Sequence, residues 1–194
     1  MPYRTPKPPE NSLVHIYNRG NNRMTLFRTK TDFQWFIEKI NRLNLYDTFG
    51  VIAFCLMPNH YHFLLKIKSE NSLTKFFHRA QLAYAKYFNR KYGHRGHVFE
   101  SRFKAKLITD DKHALAVCRY IHLNPIRSAL VDKPELWDFS NLKDVFNPET
   151  KKIYREFYSH YFNTVREYKD FVNSGMEDRE LQSIKSYLFG TTTP

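Results

Sequence analysis

The sequence predicts an α+β fold on a ferredoxin-like plan: an antiparallel sheet with helices on one face, followed by a C-terminal helical extension. Three observations predict it. Stretches of strand-like and helix-like period follow one another as βαββαβα. Two strand-like runs meet at the turn Pro58-Asn59, which makes them antiparallel neighbours. Past about residue 140 the pattern changes to segments of helical period rich in charge and aromatic rings.

The first strand is "LVHIYNR", residues 13–19, which alternates and is rich in β-branched and aromatic residues; "GNN" ends it with turn chemistry. Thr31-Asp32 supplies a helix cap, and Phe33, Phe36, Ile37 and Ile40 recur at helical spacing until Gly50 stops the run. "VIAFCLMP" reads as a buried strand and "HYHFLLKIK" as its partner across the turn. Ser72 caps a second helix whose apolar positions are Leu73, Phe76, Phe77, Ala80, Tyr84 and Tyr87, and Gly93 ends it. "GHVFESRFKAKLIT" gives a loop and a strand. Asp110-Asp111 caps a third helix, "KHALAVCRYIHLN", closed by Pro125. "KKIYREFYSHYFNTVREYKDFVNS" and "EDRELQSIKSYLF" are two further helices joined near Gly175. The domain reading is a flexible arm over residues 1–12, a catalytic unit over 13–132, and a linker with helical extension over 133–194.

Length and composition bound the function. The 194 residues suit one domain of ordinary size. A hydrophobic content of 42% is enough for a core, and no apolar run approaches the ~18 residues of a membrane span. The amino terminus, "MPYRTPKPPENS", lacks the apolar stretch of a secretory signal, so a cytoplasmic protein is expected. Cys55 and Cys118 sit in apolar contexts without paired spacing, which argues against a zinc-thiolate site or a disulfide framework. The net charge is +12. Residues 75–106 hold nine Lys and Arg against the single acid Glu100, the pattern of a protein with a polyanionic partner.

The chemistry concentrates in two short stretches. In "MPNHYHFLL", His60 and His62 stand at i and i+2 on a strand, so both imidazoles point to one face and Tyr61 to the other. Such a pair suits one divalent metal; the plain alternative is two satisfied surface histidines. In "RYIHLNPIRS", Tyr120 and Asn124 are i and i+4 on a helix and share a face. Here the plain alternative is a core aromatic and a helix-terminal cap. If that helix lies against the sheet, Asn124 adds an amide oxygen to the two imidazoles. Three protein ligands leave positions open for a phosphate oxygen, and Tyr120 stands one helical turn away.

Four motifs in this order, "YNRGNN", "FCLMPNHYHFLL", "GHVFESRFKA" and "RYIHLNPIRSALV", resemble the single-tyrosine HUH transposases. The resemblance is strongest to the REP-associated, IS200-like branch and covers roughly residues 13–132. It implies that His60 and His62 are metal ligands, that Asn124 is the third, and that Tyr120 is the nucleophile forming a 5′-phosphotyrosine link. It also implies Mg²⁺ or Mn²⁺ as cofactor and hairpin-containing, REP-like single-stranded DNA as partner. The protein would be nucleoid-associated when on DNA, a monomer or a homodimer. Tyr61 departs from the family's pattern, which has a hydrophobic residue between the two histidines. In this frame Arg95, Arg102 and Lys104 become phosphate contacts and Phe99 or Phe103 stacking groups. Asn18 and Arg19 are further DNA-binding positions, placed by the resemblance of "NRG" alone.

Two rival functions remain beside the strand transferase. One is a domesticated, non-cleaving binder of structured single-stranded DNA or RNA. The other is a phosphodiesterase in which water replaces Tyr120 as the attacking group.

Overall fold

The computed structural model describes residues 8–69, 72–147, 156–185 and 188. The amino-terminal arm expected over residues 1–12 falls largely outside this range, as do residues 151–155 of the first expected C-terminal helix.

Four strands form one antiparallel sheet in the order β2-β3-β1-β4: β1 Leu13–Arg19, β2 Phe49–Met57, β3 His60–Ile67 and β4 Lys104–Ile108. The first helices are α1 Lys30–Arg42, the single turn α2 Leu45–Thr48, α3 Ser72–Tyr92 and α4 Asp111–Arg127. This is the expected βαββαβα plan. All nine residues of β2 are buried, and such a strand must be covered on both sides. The expectation of helices on one face therefore holds for α1 and α3 only. Their Phe33, Phe36, Phe76, Phe77 and Tyr84 join Ile16, Phe54, Tyr61, Phe63 and Leu65 in one core. Helix α4 covers the opposite face, where Val117, Cys118, Tyr120 and Ile121 meet Ile52, Cys55, Met57 and Leu64.

The described part of residues 133–194, the stretch expected as linker and extension, helps build that second core. The short α5 Leu142–Val145 is followed by α6 Val165–Asn173 and α7 Asp178–Ile184. Tyr158, Tyr168, Val172 and Ile184 are buried against α4. The Arg119 guanidinium lies over the Phe171 ring at 3.8 Å and pairs with Glu180 at 2.6 Å. Residues 137–141 run along the free edge of β2. Leu56 N–H donates to Phe139 O, and the Asn141 side chain accepts from Phe54 N–H and donates to Ile52 O. A sheet edge that would otherwise offer unpaired backbone groups is thereby closed.

Several boundaries differ from the sequence reading. Helix α1 is capped by Thr29 and starts at Lys30, because Asp32 is its N3 residue in a capping box and not the cap itself. Gly50 lies inside β2; the chain leaves α1 instead through Asn44 in a left-handed conformation. Helix α4 runs two residues past Pro125 and stops where Ala129 turns left-handed at φ 51°. There Leu130 N–H donates to Pro125 O and Ala129 N–H to Ile126 O, a full Schellman closure. The expected helix over residues 151–174 is broken before α6, because Thr164 caps a new start by accepting from Glu167 N–H.

Candidate active site

Strand β3 alternates as expected. Tyr61 enters the α1/α3 core, where its hydroxyl accepts from Gln81 Nε2 at 2.8 Å. His60 and His62 face α4. Their rings meet edge-on at 5.0 Å between centroids. His62 is fully buried, and the Tyr120 ring stands edge-on to it at 5.5 Å. Asn124 completes the group: its side chain lies beside His60 and Tyr120, close enough to shift the pKa of each, and its Nδ2 donates to Tyr120 O at 2.9 Å. The four residues picked out in the sequence thus converge on one face of the sheet.

Each imidazole is held through Nδ1. In His60 this nitrogen bonds Asn59 Oδ1 at 2.6 Å; in His62 it meets His15 Nε2 at 3.0 Å. The ligating nitrogen of each would therefore be Nε2. Burial lowers the His60 pKa to about 4; Asn124 opposes the shift and the nearby Arg19 charge adds to it. Burial, with His60 and His15 beside it, holds His62 well below the ordinary histidine range. Neutral imidazoles are the form that binds metal. Among the described residues no group of three or more His, Cys, Asp or Glu side chains is placed to hold an ion. The donor set that fits is two imidazole nitrogens and one amide oxygen, with no carboxylate.

Burial pushes the Tyr120 phenol up from its ordinary pKa, while Arg127 and Asn124 pull the other way. The Arg127 guanidinium lies 5.9 Å from the centre of the Tyr120 ring. Sequence reasoning missed this residue, although Tyr120, Asn124 and Arg127 stand at i, i+4 and i+7 on one helical face. It also missed His15. The signal was the alternation of β1, which puts Leu13, His15 and Tyr17 on one side.

The expected DNA contacts divide. Arg19 pairs in register with His60 and so lies beside the site, its guanidinium bonded to Glu100 through both Nε and Nη2. Lys104 is exposed and lies on the same face, because Tyr17 pairs with both His62 and Lys104. Arg95 and Arg102 are exposed in the loop before β4. The remaining three point inward, which corrects the sequence reading. Asn18 pairs with Tyr61 on the α1/α3 side and is buried; its amide donates to Ser101 O at 2.8 Å and anchors the loop. Phe99 is buried against Tyr61 and Tyr84. Phe103 packs on Phe77 at 5.2 Å. For the two phenylalanines, packing against the apolar core, complete for Phe99 and partial for Phe103, is a stronger claim on the ring than exposure for stacking.

Gly20 ties the loop to the site. Its N–H donates to Asn59 O, next to His60, and it forms a bridge to Phe99. A Cβ here would stand 2.1 Å from the Met24 carbonyl oxygen, so only glycine fits.

Comparison with known proteins places this geometry. A solved REP-associated tyrosine transposase bound to a REP hairpin superposes with a TM-score of 0.61 at 19% identity, covering 79% of this chain and 89% of that one. That likeness shows a shared fold. A bacterial tRNA(His) guanylyltransferase-like protein in complex with GTP aligns at a TM-score of 0.37 and 12% identity, over 63% of this chain and 70% of that one. In sequence, a putative REP-associated tyrosine transposase of Haemophilus influenzae is 28% identical over 104 residues, 48% of this chain and 58% of that protein. The match thus spans less than two thirds of that relative's length. The family model described as "Transposase IS200 like" matches residues 10–124, a span that takes in His60, His62, Tyr120 and Asn124. The chain belongs to the IS200-like transposase family.

Proposed function

We propose that this protein is a strand transferase acting on hairpin-containing single-stranded DNA, with Tyr120 as nucleophile. The observation that carries the reading is the convergence of Tyr120, His60, His62 and Asn124 on one buried face. A pure binder has no use for that set. The solved relative holds a REP hairpin, and a hairpin of that kind is the partner proposed here.

The chemistry follows from the residues. His60 and His62 through Nε2, with Asn124, would hold Mg²⁺ or Mn²⁺, which when bound supplies Lewis-acid stabilisation of the phosphate. Tyr120 Oη attacks the phosphorus. The bond from phosphorus to the 3′-oxygen breaks, the phenolic proton is lost, and the departing strand leaves with a 3′-OH. The product is a 5′-phosphotyrosine ester. It is again a phosphodiester, so attack by another 3′-OH rejoins DNA without an external energy source. Burial makes the phenol harder to ionise, and Arg127 and Asn124 offset this by favouring the phenolate. Arg19 and Lys104 flank the site, suited to phosphate contacts that position the strand without reading its sequence. Arg95 and Arg102 extend that basic surface along the loop.

The test is a labelled, hairpin-tailed single-stranded DNA incubated with protein and Mn²⁺. A covalent protein–DNA adduct is expected, mapping to Tyr120 by mass spectrometry and absent in Tyr120→Phe. An adduct undiminished in that variant would overturn the assignment. Free 5′-phosphate without an adduct would favour attack by water.

A further inference from the structure

We propose that His15 is a positioning residue: it holds the His62 ring in the tautomer and rotation that turn Nε2 toward the cation site. The inference rests on the reading above, in which His62 is a ligand.

Both rings lie on the α4 side of the sheet, the mixed face on which polar side chains are buried among apolar ones. His15 lies on β1, one strand over from His62, and both side chains are fully buried. His15 Nε2 and His62 Nδ1 are 3.0 Å apart. The two rings lie side by side, 5.1 Å between centroids with 14° between their planes, as an in-plane hydrogen bond requires, and His15 stacks in turn on Tyr17 at 5.0 Å. His15, held between the Tyr17 ring and this hydrogen bond, has little freedom about its side-chain torsions and presents a fixed nitrogen to His62.

The tautomer argument is one of counting hydrogens. A buried neutral imidazole carries one N–H, and its other nitrogen is a lone pair. One hydrogen lies between His15 and His62. If His62 donates it, His62 Nε2 keeps its lone pair and can bind a cation. If His15 donates it, His62 must carry its own hydrogen on Nε2 and cannot. His60 shows how the neighbouring ligand is settled. Its Nδ1 faces the Asn59 carbonyl oxygen, which only accepts, so His60 donates from Nδ1 and keeps Nε2 as the lone pair. For His62 the same result requires His15 to accept at Nε2 and carry its own hydrogen on Nδ1. Histidine, unlike a carbonyl, can take either part. His15 can therefore impose either tautomer on His62, where Asn59 allows His60 only one, and the role proposed for it is that of acceptor.

The experiment uses the full chain labelled with ¹⁵N-histidine. Long-range ¹H–¹⁵N spectra of the metal-free wild type should show His62 protonated on Nδ1 and His15 on Nδ1. His15→Leu removes the acceptor; Mn²⁺ affinity, read by electron paramagnetic resonance, should fall about 10- to 100-fold. His15→Gln restores a carbonyl acceptor and should recover the His62 tautomer and most of the affinity. A merely structural role would not be rescued in that way. His62 protonated on Nε2 in the wild type, or His15→Leu with unchanged tautomer and affinity, would overturn the role of His15 alone. A wild type that takes up no Mn²⁺ would instead overturn the cation reading beneath it.

Discussion

The two faces of the sheet are built from the same strands and differ in what they bury. On the α1/α3 side, β3 contributes Tyr61, Phe63 and Leu65 to a core of packed rings: Phe36 on Tyr61, Phe77 on Phe63, Tyr84 on Phe27 and Phe36. On the α4 side the same strand contributes His60 and His62, and the buried set includes His15, His122 and Asn124. Buried polar groups cost stability unless each is hydrogen-bonded. His122 is explained by folding: it bonds the Tyr168 hydroxyl at 2.7 Å and Asn141 at 3.2 Å, joining α4 to α6 and to the covered sheet edge. His60 and His62 on β3 instead meet Tyr120 and Asn124 on α4 around a single point. They cluster with each other, which is the arrangement expected of a site and not of a scaffold.

The sharpest way to break this comparison removes one hydroxyl from each face. Tyr120→Phe should abolish the covalent adduct, a loss of roughly 10³-fold or more, and leave the urea midpoint nearly unchanged. The same deletion on the other face, Tyr61→Phe, leaves Gln81 Nε2 without its acceptor. It should cost about 1–2 kcal/mol of stability, read by urea unfolding, and leave adduct formation intact. Adduct loss in Tyr61→Phe would show that the faces are not functionally separate.

Between these in size lies a pH effect that belongs to the α1/α3 side. Asp32 is buried; burial raises its pKa, but hydrogen bonds from Lys91, Tyr92, Thr29 N–H and Tyr87 outweigh it and bring the carboxyl to about 2, against 3.8 for an ordinary aspartate. A depressed carboxyl stabilises the fold above its unfolded pKa and loses that contribution as pH falls through the folded value. Asp32 should therefore contribute about 2 kcal/mol at neutral pH, fading between about pH 4 and pH 2. Asp32→Asn, followed by urea unfolding across that range, should be less stable than wild type at pH 7 and converge with it near pH 2. His60 and His62, whose pKa values burial also lowers, weaken the fold as pH falls as well, so the Asp32 share is read as the difference between wild type and Asp32→Asn at each pH.

The smallest effect is expected at the end of α4. Ala129 holds a left-handed conformation that glycine adopts freely. Ala129→Gly should raise stability by up to about 1 kcal/mol without altering the adduct.

Much of this was legible from local pattern. The alternation of β3 put His60 and His62 on one face, and helical spacing put Tyr120 and Asn124 on another. What was not legible depended on which element meets which. Asp32 reads as a cap, yet its carboxylate is tied to Lys91 on α3, 59 residues away. His15 reads as one residue of a strand until pairing with β3 brings it to His62. Phe99 reads as an exposed ring among basic residues until the bridge to Gly20 draws it into the core. Pro125 reads as a helix stop, but the carbonyls beyond it are satisfied by the Ala129 closure, so α4 continues.

The central claim is that the mixed face is a single cation and phosphate site. It is tested most directly by the anomalous signal of Mn²⁺ in crystals of Tyr120→Phe, a variant that cannot form the adduct. One strong peak is expected within coordination distance of Nε2 of both His60 and His62 and of the Asn124 amide, with the ring at position 120 beside it. A peak elsewhere, or coordination through only one of the two imidazoles, would contradict the account.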